Sequence, residues 1–281
     1  MQRGAVILDT MVVQLELPSE SVEVLPGVCW GSIDAFPSPA YWAFQVLARR
    51  IQGTRINFKL GTSLREEVGA CLLGGHGIPA RVGLAAFSKL KQLGAFTGEA
   101  PDEQTLFAWL SDFIELDGKK IRYRFASQKA KYLAAALRKL DLEAAPLATG
   151  RELRDWLLNI SGIGPKTASW IARNWLDADD VAILDIHLLR AGWLAGFFPQ
   201  GLTVERHYLQ LESLFLSLSN GLGVRASELD AVIWWEMMSS GSIVSKLLNQ
   251  YKLDGPQEKT SGGRRRSNKS NTNSADQLVL V

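Results

Sequence analysis

Leu157-Leu158-Asn159-Ile160-Ser161-Gly162-Ile163-Gly164-Pro165-Lys166-Thr167-Ala168 reads as the apolar end of one helix, a glycine turn and the start of a second helix. Gly162 and Gly164 bracket Ile163, so the chain can turn sharply while the isoleucine plugs into a core. Pro165 has no amide and suits a first helical turn, where none is needed. The neighbouring amides point outward with the positive end of the helix dipole behind them, a surface that a phosphate satisfies. Downstream, Ala182-Ile183-Leu184-Asp185-Ile186-His187 puts a carboxylate at the mouth of the next helix, 185 − 166 = 19 residues after Lys166. One helix of about twelve residues plus a short loop fills that gap and returns the chain beside its start. An amine and a carboxylate then meet at a helix end suited to an anion.

Each of these residues has a plain reading and a chemical one. Lys166 can simply meet a phosphate. To act as a nucleophile it must lose its proton, and lowering a lysine from about 10.4 to about 7–8 takes roughly 3–4 kcal/mol of destabilisation of the ammonium. Burial and a helix N-terminus push that way, whereas a nearby carboxylate pushes the other way, so Asp185 must do something other than activate the amine. Asp185 can be an ordinary N-cap, or the same carboxylate can also stabilise a developing cation. His187 can reach a phosphate or pack.

The 281 residues and 47% hydrophobic content are ample for one large domain or two lobes. The net charge of +2 divides unevenly. Residues 255–281 carry Lys259, Arg264, Arg265, Arg266 and Lys269 against Glu258 and Asp276, 5 − 2 = +3, which leaves 2 − 3 = −1 for residues 1–254. A nucleic-acid role therefore needs a local patch rather than a global charge. Two cysteines, Cys29 and Cys71, cannot form a four-cysteine iron–sulfur or zinc site, and His76, His187 and His207 show no metal-ligand spacing. Such sparse cysteine usage suggests a reducing compartment. No apolar run reaches membrane-spanning length, and Asp9 breaks the start before a signal core forms. The expectation is a soluble intracellular protein, cytoplasmic or nucleoid-associated.

Residues 5–28 are rich in Val, Ile and Leu and predict one or two short strands. From Pro39 onward the pattern is helical nearly throughout: Tyr41–Ile51, a helix from a Ser63/Glu66 capping box to Leu73, then Ile78–Leu93, Asp102–Ile114 and Ser127–Leu140. A Thr149/Glu152 capping box opens the helix that ends at Ile160, and helices follow over Lys166–Leu176, Ile186–Phe197, Thr203–Ser217, Ser227–Met238 and Ile243–Gln250. Residues 1–254 thus form the folded body, with the helical hairpin at about 150–176. Residues 255–281 turn to Ser, Asn, Gly, Lys and Arg, the composition of a disordered basic tail.

Residues 119–139 carry eight positive charges and no acid, with Tyr123, Phe125 and Tyr132 interleaved. A solvated helix face is the plain reading. Because the following helix leads into the hairpin, Arg124 and Lys129 are the candidate phosphate contacts and Tyr123 a candidate wedge between bases.

Gly162-Ile163-Gly164-Pro165-Lys166, with Asp185 and His187 downstream, resembles the helix-hairpin-helix (HhH-GPD) DNA glycosylases. The particular match is to their lysine-bearing branches, the 8-oxoguanine glycosylases and endonuclease III. It is strong over about 150–197 and extends, from helix order, over about 38–250. The resemblance implies a mainly α, two-lobed helical glycosylase fold with a short N-terminal extended segment and DNA in the cleft. It implies a base-excision glycosylase with AP lyase activity, in which Lys166 attacks C1′ of a flipped nucleotide, Asp185 assists, and the strand is nicked by β-elimination. The lack of a cysteine cluster argues against the endonuclease III and adenine-glycosylase branches, and a lysine at 166 against the monofunctional alkylbase branch. An 8-oxoguanine type remains.

Asp230 and Trp234, four apart on one helical face, are similar to the archaeal 8-oxoguanine branch, where an acid accepts the purine N–H groups and a tryptophan stacks on the ring. A buried aromatic stripe at Ile233 and Trp234 is the plainer alternative. The implied partner is duplex DNA with a damaged base, bound by a monomer away from membranes. No cofactor is implied beyond a monovalent cation held by the hairpin carbonyls around Gly162 and Gly164. Three departures stand out. There is no counterpart to the asparagine-rich loop of the eukaryotic-type enzymes, the N-terminal segment is too short for their β-domain, and no residue of the pattern marks the acceptor for the lesion's N7–H, for which Gln45 or a carbonyl near Phe36–Pro39 is the candidate. Three alternatives stay open: another lesion, an apurinic-site lyase alone, and a non-catalytic DNA-binding module.

Overall fold

Five helices begin where a short polar side chain captures an amide of the first turn, four of them ahead of the hairpin and the fifth at Asp185. Ser38 Oγ accepts from Tyr41 N at 3.0 Å, Ser63 Oγ from Glu66 N at 3.2 Å, Asp102 Oδ1 from Thr105 N at 2.7 Å and Thr149 Oγ1 from Glu152 N at 3.1 Å. The structure is a computed structural model that describes residues 1–53, 59–75 and 77–254. The tail at 255–281 and His76 lie outside the described residues.

Two antiparallel hairpins come first, β1 (Gln2–Leu8) with β2 (Met11–Leu17) and β3 (Glu23–Leu25) with β4 (Val28–Cys29). Then follow α1 (Pro39–Ile51), α2 (Leu64–Leu73), α3 (Ala80–Gln92), α4 (Glu103–Ser111), and a third hairpin of β5 (Ile114–Leu116) and β6 (Lys119–Ile121). The remainder is helical: α5 (Ala126–Leu142), α6 (Gly150–Leu157), α7 (Pro165–Leu176), α8 (Ile186–Ala195), α9 (Val204–Gly221), α10 (Ala226–Ser239) and α11 (Gly241–Asp254). The mainly helical expectation holds, and the N-terminal segment forms four strands where one or two were expected.

Two local expectations need correction. The helix expected over 102–114 stops at Ser111, because Asp117 and Gly118, both at positive φ (51° and 71°), fold the chain into the β5–β6 hairpin. An Asp-Gly pair is the residue choice such a turn demands. The basic run is thereby split between a strand and a helix, and its cations do not share one helical face. The reciprocal half of the Ser63 capping box is also displaced. Glu66 reaches Thr62 N at 2.8 Å and Lys91 Nζ at 2.8 Å instead of the Ser63 amide.

The apolar residues bury into two clusters. One is built from α2 to α7, from Val68 to Val181. The other takes the N-terminal segment and α1, Leu17 to Val46, together with α8 to α11, Ala182 to Val244. The chain therefore starts in the second core, crosses to the first, and returns between Val181 and Ala182.

Charged side chains hold the seam between them. Arg154 on α6 and Glu212 on α9, each 3% exposed, form an ion pair through Arg154 Nη1. Glu212 Oε1 also accepts from Ser169 Oγ of α7 at 3.3 Å and from Ala182 N at 3.0 Å. Arg225 binds Asp177 and Asp179, and Asp179 accepts from Ser227 N and Oγ at 3.1 and 2.8 Å, which ties the α7–α8 connection to the start of α10. Removing one member of a buried pair strands the other's charge. Arg154→Ala is expected to lower unfolding free energy by about 3–5 kcal/mol in urea titration.

Candidate active site

Ile163 is 5% exposed and belongs to the first core, packed with Leu157, Ile160 and Ala168. Burying it draws the turn tight, and Gly162 takes φ +88°, a conformation that strains other residues. A Cβ at Gly162 would also stand 2.2 Å from the Tyr132 ring of α5, so the basic helix packs directly on the hairpin. Gly164 differs: its φ is −93°, and a Cβ there would meet open space. The conformational demand in the Gly-Ile-Gly turn thus rests on Gly162, while Gly164 leaves room in front of α7. No side chain caps α7, and Pro165 sits in its first turn, so the helix presents its N-terminus outward beside Lys166.

Asp185 is the N-cap of α8. Its Oδ1 accepts from His187 N at 2.8 Å and Leu188 N at 3.2 Å. That leaves Oδ2, which lies 3.5 Å from Lys166 Nζ. The two readings of Asp185 are therefore compatible, with one oxygen holding the helix and the other facing the amine. Lys166 is 43% exposed at its side chain and Asp185 only 11%, so solvent reaches the pair from the lysine side. The lysine stands on an element of the first core and the carboxylate on an element of the second.

His187 lies half-buried beside them, and its ring meets Trp234 of α10 edge-on at 6.2 Å. Burial pushes the imidazole below its usual range, and the Arg190 and Lys166 charges add to this against the opposing pull of Asp185. Trp234, half-buried, adds an aromatic wall one ring away from the amine–carboxylate pair.

Three expected site residues are used otherwise. Asp230 is 2% exposed, its Oδ2 accepts from Ile183 N at 3.2 Å, and its Oδ1 lies 3.7 Å from Arg173 Nη1. Burial pushes its carboxyl up to about 6, against the pull of Arg173. In the DNA-free chain Asp230 is thus engaged inside the seam, where it holds the segment ahead of Asp185. Its spacing of four from Trp234 reflects a helix that buries one of the two side chains. Tyr123 is 4% exposed and donates its hydroxyl to Leu73 O at 2.6 Å, so it does not wedge between bases. Lys129 Nζ donates to Leu72 O at 2.5 Å and Gly74 O at 3.1 Å, satisfying the carbonyl end of α2. Burial pushes its ammonium below the usual lysine range. Arg124 is exposed, with its guanidinium over the Phe125 ring at 5.3 Å. Gln45 is half-buried on α1, and Phe36 packs edge-on against Tyr41 at 5.4 Å.

Local pattern gave no signal for Tyr208, Glu212 or Arg154. Tyr208 Oη donates to Ala182 O at 2.7 Å and accepts from Leu184 N at 3.1 Å. Together with Glu212 and Asp230 it engages three consecutive amides, 182, 183 and 184, immediately before Asp185.

A helical hairpin with a lysine opening its second helix, a carboxylate capping the next, and two helical cores meeting between them define the helix-hairpin-helix DNA glycosylase class. Residues 58–224 match the family model described as 8-oxoguanine DNA glycosylase of the Ogg helix-hairpin-helix type. An 8-oxoguanine DNA glycosylase/AP lyase of Thermoplasma acidophilum is 33% identical over 145 residues, covering 49% of this chain and 68% of that protein. One of Saccharolobus islandicus is 38% identical over 128 residues, covering 42% and 61%. The crystal structure of the Methanocaldococcus jannaschii 8-oxoguanine DNA glycosylase aligns with a TM-score of 0.53 at 26% identity, over 72% of this chain and 94% of that one. The chain belongs to the 8-oxoguanine DNA glycosylase family. The family match contains Lys166, Asp185, His187, Tyr208 and Glu212 and ends before Asp230 and Trp234.

The placement of the two cations separates them experimentally. Arg124→Ala is expected to reduce the salt slope of DNA binding by about one, the effect of a lost phosphate contact. Lys129→Met is expected to leave that slope unchanged and to lower stability by roughly 1–3 kcal/mol, because two carbonyls lose a charged donor. Fluorescence anisotropy across a salt series, with a urea titration of each variant, checks both.

Proposed function

We propose that this protein is a bifunctional DNA glycosylase/AP lyase that removes an oxidised purine, 8-oxoguanine, from duplex DNA inside the cell. The observation that carries the proposal is the 3.5 Å approach of Lys166 Nζ to Asp185 Oδ2 at the open N-terminus of α7. The exposed turn and helix end receive a DNA phosphate, with His187 and Arg124 as further contacts. The damaged nucleotide is extruded toward Lys166 and stacks on Trp234. Bound DNA excludes water from the lysine, which the free protein leaves partly exposed. The amine then attacks C1′, the base departs with the glycosidic electron pair, and Asp185 Oδ2 stabilises the positive charge that develops on the sugar. Ring opening gives a Schiff base between Lys166 and C1′, and loss of the C2′ proton expels the 3′ phosphate.

The lesion's N7–H is assigned within the same proposal to Gln45 or a carbonyl of residues 36–39. That side of the molecule packs against α10, through Tyr41 Oη on Glu236 Oε2 at 3.2 Å. A monovalent cation at the hairpin belongs to it too. Backbone carbonyls of an exposed turn are the hard oxygen donors that alkali ions take, and the ion would bridge the turn to a phosphate.

Borohydride trapping tests the reading. Wild-type protein incubated with an 8-oxoguanine duplex is expected to become covalently fixed to DNA, and Lys166→Gln to give no adduct. A wild-type chain that gives no adduct on lesion or abasic duplexes would be a binding module with Lys166 as a phosphate contact.

Asp185→Asn separates cap from chemistry. Asparagine caps as well as aspartate, so stability should move by only a few tenths of a kcal/mol, while single-turnover excision slows by about two orders of magnitude. A variant that melts early yet excises normally would make Asp185 a cap alone.

A further inference from the structure

Tyr208 stands at an irregular point of its helix. The preceding residue, His207, has φ −126° and ψ 28°, outside the helical range, and its Nδ1 accepts from Thr203 N at 3.1 Å. The kink separates the first turn of α9 from the rest of the helix at the residue before the tyrosine. The ring is 5% exposed in the second core, and its hydroxyl bridges Ala182 O and Leu184 N. One side chain thus supplies to residues 182–184 the donor and the acceptor that a neighbouring strand would supply. Burial holds the phenol far above its ordinary range, so it remains a neutral donor and acceptor at any working pH.

The segment it grips delivers the catalytic carboxylate. Leu184 directly precedes Asp185, and the approach of Asp185 Oδ2 to Lys166 spans two cores rather than one element. Glu212 and Asp230 hold the neighbouring amides, but both also face cations across the seam, Arg154 and Arg173. Tyr208 is the uncharged member of the three, and Phe deletes its hydroxyl while keeping the ring. We propose that Tyr208 is a positioning residue for the reaction, whose hydroxyl fixes residues 182–184 so that the free oxygen of Asp185 meets Lys166 and the attacked sugar. The inference rests on the functional reading above and extends it to a residue remote from substrate.

The test is a double-mutant cycle with a second readout that needs no activity. Tyr208→Phe should slow single-turnover excision of 8-oxoguanine by about tenfold or more, since displacement of a catalytic group by about 1 Å has effects of that order. Affinity for a non-cleavable abasic analogue should stay within about twofold, because the hairpin and helix N-terminus are untouched. In an Asp185→Asn background the same substitution should change the rate by less than about twofold, the non-additivity of residues acting through one group. Equal slowing in both backgrounds, or none in either, would overturn the proposal and leave Tyr208 a core residue. Amide exchange by NMR supplies the second readout. The His187 and Leu188 amides, which report the Asp185 cap, should exchange faster in Tyr208→Phe than the rest of α8. If the wild-type chain neither excises nor traps, the functional reading fails, and the exchange result alone decides the positioning role: unchanged protection at His187 and Leu188 overturns it.

Discussion

The Glu212 carboxylate touches both cores at once, and a buried carboxylate must be paired and hydrogen-bonded to exist. Arg154 and Ser169 donate to it from the first core, and the Ala182 amide donates to it from the second. Its desolvation is compensated only when the two cores sit in one relative position. A hydrophobic seam would bind as strongly but tolerate sliding, because apolar burial is non-directional. The Arg173–Asp230 and Arg225–Asp177/Asp179 contacts repeat the pattern along the same chain crossing.

That constraint makes the site. Lys166 and Asp185 come from different cores, so their 3.5 Å approach inherits the registration of the seam. The ion pair itself contributes little to folding, since its lysine is 43% exposed and such pairs are screened by solvent. Asp185 earns its structural role through Oδ1, which caps α8, and the division of its two oxygens lets the same residue meet both demands. The segment carrying it is gripped amide by amide from 182 to 184, which is how a side chain at the end of a loop acquires the precision of one on a rigid element.

Chemical type misled the sequence reading where a polar residue was taken as facing outward. Lys129 lies in a run of cations, yet its stem is packed and its ammonium closes the carbonyl end of α2. Tyr123 sits among exposed cations, yet its hydroxyl serves Leu73 O within the core. Asp230 shares a helix with Trp234, but its carboxylate points into the seam. In each case the partner is a backbone group or side chain 47 to 57 residues away, beyond any local pattern. The β5–β6 hairpin is different. Asp117-Gly118 was a readable turn signal, overridden by the helical periodicity on either side.

The sequence by itself determined the local devices: the glycine turn with its buried isoleucine, the caps at Ser63, Thr149 and Asp185, and the 19-residue interval (185 − 166) from Lys166 to Asp185. These follow from backbone conformation and short-range hydrogen bonding, which act over a few residues and are therefore written in adjacent letters. The tertiary structure alone decided which polar groups face solvent and which close the seam. It paired Arg154 with Glu212 across 58 residues and Tyr208 with Ala182 across 26. The cost of burying a charge or an amide is settled by whatever the fold brings to it, and no local pattern in the chain specifies that partner.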